Sequence, residues 1–274
     1  MLQIITDSSA DLPALIIEKY NIHVVPLTII IDGKEYTEGI DLTPLDFYQK
    51  MLNSPALPKT SQPSPLTFAR IFEELSSKGH LLCLTLSSKL SGTYQAACLG
   101  NDISGGKATV FDTLAGSLGH GLQIIKAAEL AAQGLPIEKI VEKLKIYRDD
   151  MNIFILLDTL DNIVKGGRLN KFSGMLAKVL DMKILLHNVE GAVEMLEKIR
   201  GKKKFLLRVI DYIGERKEDF SECIFGITHV DNLEDAELLK KAIIEKYHPK
   251  GVIINYMGST MGTYAGKNGI ILSF

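Results

Sequence analysis

The chain has 274 residues, with 31 lysines and arginines against 33 aspartates and glutamates, a formal net charge of -2. At roughly 150 residues per domain this length suggests about two domains, though one large domain is allowed, and a chain this long needs no disulfide or metal staples. The balanced charge argues against a dedicated nucleic-acid binder, which carries a basic surplus, and no apolar run approaches the ~20 residues of a membrane-spanning helix.

Cys83, Cys98 and Cys223 are too scattered for a metal ladder or a disulfide framework, and their odd number suits a reducing compartment. The opening MLQIITDSSADLP has no basic leader and is interrupted by Asp7, so it does not read as a signal peptide. A soluble, cytoplasmic α/β protein is expected.

Taken in chain order, Leu2 to Thr6 predicts a strand that stops at Asp7-Ser8-Ser9. Asp11 is placed to cap a helix with Pro13 in its first turn and Leu15, Ile16 and Tyr20 on one face. His23 to Ile31 has a strand pattern interrupted by Pro26, and Pro44 to Leu52 a helix with Leu45, Tyr48 and Leu52 on one face. A proline-rich loop follows over Ser54 to Pro65. Ser64 and Pro65 then open a helix whose Phe68, Ile71, Phe72 and Leu75 make an apolar stripe. Leu81 to Leu86 reads as a buried parallel strand, followed by a short helix over Tyr94 to Leu99. Ala108 to Phe111 is a strand, and Leu118 to Ala132 and Ile137 to Tyr147 are helices. Strand, polar turn and helix in repetition predict a parallel sheet with helices on both faces.

Beyond residue 150 the pattern changes. Ile153 to Leu157 is a strand, Leu160 to Val164 a short helix and Phe172 to Leu180 another helix. Val189-Glu190-Gly191 joins Ile184 to Asn188 and Ala192 to Leu196 as a hairpin. Strands at Cys223 to Thr228, Val252 to Tyr256 and Ile270 to Phe274 alternate with helices at Phe205 to Lys217 and Leu233 to Tyr247. The fold expected is an N-terminal α/β domain over residues 1–150 and a C-terminal α+β domain with a mixed sheet over residues 151–274.

The usual catalytic signatures are absent: the chain contains no HExxH, CxxC, GxSxG, Walker A lysine loop or GxGxxG. Its six histidines have no partner at short metal-ligand spacing, so neither a metal nor another cofactor is expected. Asp7, Asp112, Asp158 and Asp231 follow apolar strands, where capping is their commoner work, and His229 stands in a similar position. What the chain does carry is hydroxyls at strand ends: Ser8-Ser9, Thr60-Ser61, Ser87-Ser88, Ser91-Gly92-Thr93 and Thr113. In an open α/β sheet ligands collect at the carboxyl ends of strands. A Ser-Gly-Thr opening a helix offers hydroxyls and free N–H groups to an anion such as a carboxylate or phosphate.

Four segments add a family resemblance. ITDSSADLP, with Asp7, Ser8 and Ser9, the stretch KTSQPS from Lys59, LSSKLSGTY from Leu86, and KGGRL from Lys165 together resemble the DegV family of bacterial fatty-acid-binding proteins, along the whole chain. The resemblance implies two domains with a long-chain fatty acid such as hexadecanoate between them. It implies that the carboxylate is held by Thr60 and Ser91, within a ligand-binding set of Thr60, Ser61, Ser91, Gly92, Thr93 and Tyr264. It also implies a non-enzymatic carrier that presents the acid to a fatty acid kinase, whose acyl phosphate product feeds phospholipid synthesis. Arg168, projected by the glycines of KGGR, falls where the family docks its partner. The chain departs from the family ending, His-x-Gly-Pro-Gly: Tyr264 stands at the histidine position and Lys267-Asn268 replaces Pro-Gly. A phenol still donates one hydrogen bond, but does not exchange its proton near neutral pH as an imidazole does.

Apolar residues available for a tail channel include Leu114, Leu118, Met175, Leu176, Leu180 and Met257, each of which fits equally as core. Two alternatives stand beside the carrier. The strand-end hydroxyls and aspartates suit an enzyme for a small carboxylate or phosphorylated substrate, and the Lys202 to Lys204 run alone speaks for a regulatory or nucleic-acid role.

Overall fold

The computed structural model describes residues 2–169 and 181–274. The helix expected over Phe172 to Leu180, with Met175, Leu176 and Leu180, lies outside the described residues. In chain order the first half forms β1 (Leu2–Asp7), α1 (Ala14–Tyr20), β2 (His23–Val25), β3 (Thr28–Ile31), β4 (Lys34–Thr37), α2 (Pro44–Asn53), β5 (Lys59–Ser61), α3 (Pro65–Leu75), β6 (His80–Thr85), α4 (Thr93–Ile103), β7 (Ala108–Asp112), α5 (Leu118–Ala132) and α6 (Ile137–Asp149). The second half forms β8 (Ile153–Leu157), α7 (Asp161–Lys165), β9 (Met182–Val189), β10 (Ala192–Arg200), α8 (Lys202–Arg216), β11 (Ile224–His229), α9 (Leu233–Tyr247), β12 (Gly251–Tyr256), α10 (Ser259–Ala265) and β13 (Ile270–Ser273).

The first sheet has the order β2-β1-β6-β7 and is parallel throughout. Successive side chains of a strand point to opposite faces, and β1 and β6 use both. Ile4, Leu82 and Leu84 pack with Leu122 and Leu130 of α5 and with Ile140 and Leu144 of α6. Ile5, Leu81 and Cys83 pack with Phe68 and Phe72 of α3 and Ala96 and Ala97 of α4. This is the expected parallel sheet with helices on both faces.

The second sheet is mixed, in the order β10-β9-β8-β13-β11-β12. Only β11 and β12 run parallel; the other pairings are antiparallel. The β9–β10 turn has Glu190 at φ 50 and Gly191 at φ 87, the two positive angles a tight hairpin needs. One face of this sheet, including Phe154, Phe225 and Leu272, packs under Phe205 and Val209 of α8 and Leu239 and Ile243 of α9. The other face, with Ile155, Ile184, Leu186 and Ile271, meets residues from the first half: Ile29, Leu42, Phe47 and Tyr48.

That last contact depends on a feature the sequence reading missed. The stretch read as one strand from His23 to Ile31 is two. β2 stays in the parallel sheet, Pro26 has no N–H to continue a ladder, and β3 crosses to a separate three-stranded antiparallel sheet, β4-β3-β5. Its third strand, β5, comes from the stretch read as a loop. The helix faces also differ from expectation. On α2 the buried residues are Phe47, Tyr48 and Met51, while Leu45 and Leu52 are each 53% exposed, and on α1 Leu15 is 78% exposed. Asp11 does not cap α1. It adopts φ 51 and accepts bonds from Gly258 N and Ser117 Oγ instead. The helix expected over Tyr94 to Leu99 extends from Thr93 to Ile103.

Candidate functional site

The carboxyl ends of β1 and β6 are stitched together before any ligand is considered. Asp7 accepts from Ser9 N at 3.1 Å and from Leu86 N at 2.8 Å. Ser87 Oγ donates to Gly191 O at 2.7 Å, so the tip of the β9–β10 hairpin docks on the end of β6. Asn188 Nδ2 also donates to Leu114 O, at 3.2 Å. Several hydroxyls and carboxylates at strand ends therefore serve the fold.

Between the small sheet and the mixed sheet lies a cavity lined by Leu27, Leu86, Leu90, Ile155, Ile163, Val193, Met261, Ala265 and Ile271. Its polar lining consists of Thr60, Ser91, Arg168, Thr260 and Tyr264. Five of the lining residues come from the first half of the chain and nine from the second. Among the described lining residues there is no histidine, aspartate or glutamate.

Thr60 and Tyr264 meet directly, with Thr60 Oγ1 2.7 Å from the Tyr264 hydroxyl. Strand alternation turns Thr60 inward, while Ser61 beside it is exposed. Ser91 lines the cavity and its Oγ lies 2.9 Å from Thr93 Oγ1. Thr93 itself is fully buried and Gly92 lies at the start of α4; neither lines the cavity. A Cβ on Gly92 would stand 2.1 Å from Gln62 Oε1, so the glycine lets the KTSQPS and LSSKLSGTY segments approach each other. Leu118 and Met257 are fully buried core, and neither they nor Leu114 line the cavity.

Arg168, expected where a partner docks, is half-buried and lines this same cavity. Its guanidinium lies 4.9 Å from the Tyr264 ring centroid, a cation–π distance. It donates to Leu90 O at 3.3 Å and Gly166 O at 2.6 Å. Gly166 is equally close to the ring, because a Cβ there would lie 2.4 Å from Tyr264 Cδ1 and Cε1. The KGGR turn and Tyr264 are thus one packed unit. The Lys202 to Lys204 run opens α8 away from this lining, and Lys202 pairs with Asp235 at 2.6 Å. His229 Nδ1 accepts from Asn232 N at 3.2 Å, beside the start of α9.

Two carboxyl groups that the sequence reading gave no site role stand behind α10. Asp11 holds Gly258 N, and Glu38 holds both Thr260 N and Thr260 Oγ1. Burial pushes both carboxyls above the ordinary carboxylate range; the bonds from Ser117 and Gly258 to Asp11, and from Ser8 and Thr260 to Glu38, act against that rise. Nothing in the local sequence around Glu38 marks it, since its partners lie 30 and 222 positions away. Among the described residues no cluster of His, Cys, Asp and Glu could hold a metal ion, and no helix is long and apolar enough to cross a membrane.

Comparison with known proteins agrees with this architecture. A DegV domain-containing protein of Caldanaerobacter subterraneus is 35% identical over 267 residues, 97% of this chain and 95% of that protein. A fatty-acid-binding DegV family protein from Thermus thermophilus superposes with a TM-score of 0.94 at 29% identity, covering 100% of this chain and 99% of that one. DegV of Bacillus subtilis, a fatty acid binding protein, gives 0.89 at 27% identity, covering 99% and 98%. The family model described as "Uncharacterised protein, DegV family" matches residues 1–274, and the chain belongs to the DegV family.

Proposed function

We propose that this protein binds one long-chain fatty acid, with the tail in the cavity and the carboxylate at Thr60, Ser91 and Tyr264, between the domains 1–150 and 151–274. The observation that carries the reading is the cavity itself: a mainly aliphatic lining that includes Ser91 and in which the Thr60 and Tyr264 hydroxyls meet. The fatty-acid-binding DegV proteins of Thermus thermophilus and Bacillus subtilis support it. Burying the ~14 methylenes of hexadecanoate at ~0.8 kcal/mol each gives about 11 kcal/mol gross, reduced by ordering costs. The tail supplies affinity, so the head group needs only orientation. Ser61, Gly92 and Thr93 then belong to the site as its frame: they shape the segments that carry Thr60 and Ser91.

Hydroxyl donors orient a carboxylate without pairing with its charge; the one cation among the described lining residues, Arg168, has its Nε and Nη1 bonded to Leu90 O and Gly166 O. An oxygen so held remains a nucleophile toward phosphorus. We therefore propose that the chain acts as a cytoplasmic carrier for a fatty acid kinase. The carboxylate oxygen would form a bond to the terminal phosphorus of a nucleoside triphosphate on the kinase, while the bond to the diphosphate oxygen breaks. Catalysis belongs to the kinase. Arg168 forms part of the wall at Tyr264, and the kinase must reach the same end of the cavity, so the arginine serves both the wall and the docking face.

Organic extraction of the purified protein followed by mass spectrometry tests the first step. A stoichiometric acid of about 14 to 18 carbons, whose buried tail supplies the affinity, is the expected result. Protein that carries no lipid and takes up no added fatty acid would overturn the reading.

A further inference from the structure

The short helix α10 is gripped twice by the small sheet. Thr60, on edge strand β5, meets Tyr264. Glu38, immediately after the other edge strand β4, accepts from Thr260 N and from Thr260 Oγ1, each at 2.6 Å. Thr260 and Tyr264 are four residues apart, so they lie on one face of the helix, one turn above the other. The geometry points to Glu38 as a positioning residue for the Tyr264 hydroxyl. This rests on the fatty-acid reading and deepens it: Glu38 would hold the rotation and height of α10 at which the phenol faces the carboxylate.

Three features single out Glu38 among the contacts of α10. It is buried, and both oxygens are used, one by Thr260 N and the other shared by Thr260 Oγ1 and by Ser8 Oγ at 2.6 Å. Charged acceptors make the stronger hydrogen bonds, and a rigid pair of them fixes a helix end better than a hydroxyl could. Its backbone is tied to the cavity as well, since Glu38 N donates to Leu27 O at 3.0 Å and Leu27 lines the cavity. The remaining anchors hold α10 from other directions. Asp11 reaches Gly258 N, Asn162 Nδ2 reaches Thr263 O at 2.9 Å, and Tyr48 reaches Met257 O. None of these belongs to the sheet that carries Thr60, so none sets the distance between Thr60 and Tyr264 as directly.

The test is a double-mutant cycle read on two ligands, a long-chain acid and its methyl ester, which has the same tail without the charged head. Glu38→Ala should weaken acid binding about tenfold, within the usual coupling range of residues in one network, and leave ester binding nearly unchanged. In a Tyr264→Phe background the same substitution should cost little more. Equal losses for acid and ester, or a full tenfold loss that persists without the phenol, would overturn the assignment. Should Glu38→Ala not fold, Glu38→Gln keeps the shape and replaces one acceptor oxygen by a donor; the same cycle then applies with a smaller effect. A ligand-free readout separates this inference from the functional reading. In fluorotyrosine-labelled protein, the Tyr264 resonance, assigned by its loss in Tyr264→Phe, should move in Glu38→Gln in the same direction as in Thr60→Val. An unmoved resonance refutes the positioning role whether or not the protein binds lipid, whereas failure of the wild type to bind any fatty acid refutes only the functional reading.

Discussion

Thr60 Oγ1 and the Tyr264 hydroxyl, 204 positions apart in the chain, lie 2.7 Å from each other across the two halves of the protein. On the proposed reading, an entering carboxylate would compete with this bond and offer both hydroxyls a charged acceptor, and the pair would mark the head-group end of the cavity.

Removing the hydroxyls should uncouple head from tail. Thr60→Val combined with Ser91→Ala deletes two donors, each worth roughly 1.5 to 3 kcal/mol to a charged acceptor. Isothermal titration with hexadecanoate should show a large loss of affinity, while circular dichroism and the melting temperature stay close to wild type. Retained affinity with an intact fold would place the carboxylate elsewhere.

Tyr264→Phe should be milder, because one donor is lost and the ring keeps its contacts with Gly166 and Arg168. A competition series of acids differing in length should keep its order, with every member weakened alike. A changed order would place Tyr264 against the tail.

Gly166→Ala tests the packing beneath that ring. The added methyl would fall 2.4 Å from two ring carbons of Tyr264, well inside van der Waals contact. Overpacking of this kind costs about 1 to 3 kcal/mol. Either the melting temperature falls or the ring swings away, and acid binding drops with it. A variant that matches wild type in both measurements would show that the ring is not held there.

Arg168 separates wall from docking face. Arg168→Lys keeps a cation but loses the planar fork that spans Leu90 O and Gly166 O. Lipid content should be largely kept, while acyl phosphate formation by the cognate kinase slows. Arg168→Glu, which sets a like charge beside the carboxylate, should lose lipid as well. Unimpaired transfer by both variants would remove Arg168 from the docking role.

The pH dependence follows from Asp11 and Glu38. Burial, the largest cause, raises both carboxyls in the folded state. A group raised on folding contributes stability that is full below its unfolded value, near ~4 for a carboxyl, and lost as pH rises through the folded value. Glu38→Gln removes that loss. Its melting temperature relative to wild type should thus climb as pH is raised above the ordinary carboxylate range, even as acid binding weakens. A difference that stays flat with pH would mean that Glu38 titrates no differently once folded.

Much of the architecture was written in local pattern. The nearly all-apolar run Leu81 to Leu86 that forms most of β6 and the stripe of Phe68, Phe72 and Leu75 on α3 follow from burial on two faces of a sheet or one face of a helix. The β9–β10 hairpin is carried by Glu190-Gly191, both at positive φ, an angle that Gly191 takes at no steric cost. Thr60, Ser91, Arg168 and Tyr264 were legible as candidates from the KTSQPS, LSSKLSGTY and KGGR segments and the chain's ending.

Tertiary structure alone decided the rest. β5 is three residues long and gains its strand character only by pairing with β3, a long-range partner that no local window contains. The buried face of α2 is set by the mixed sheet that Phe47, Tyr48 and Met51 meet, and periodicity cannot choose among apolar residues on two sides of one helix. Asp11 reads locally as a helix cap, yet its left-handed backbone turns its carboxylate toward Gly258, 247 residues away. The cavity has the same origin. Its lining is gathered from strands, helices and loops of both halves, and a sequence records the chemistry of each residue without recording which distant residue it will face.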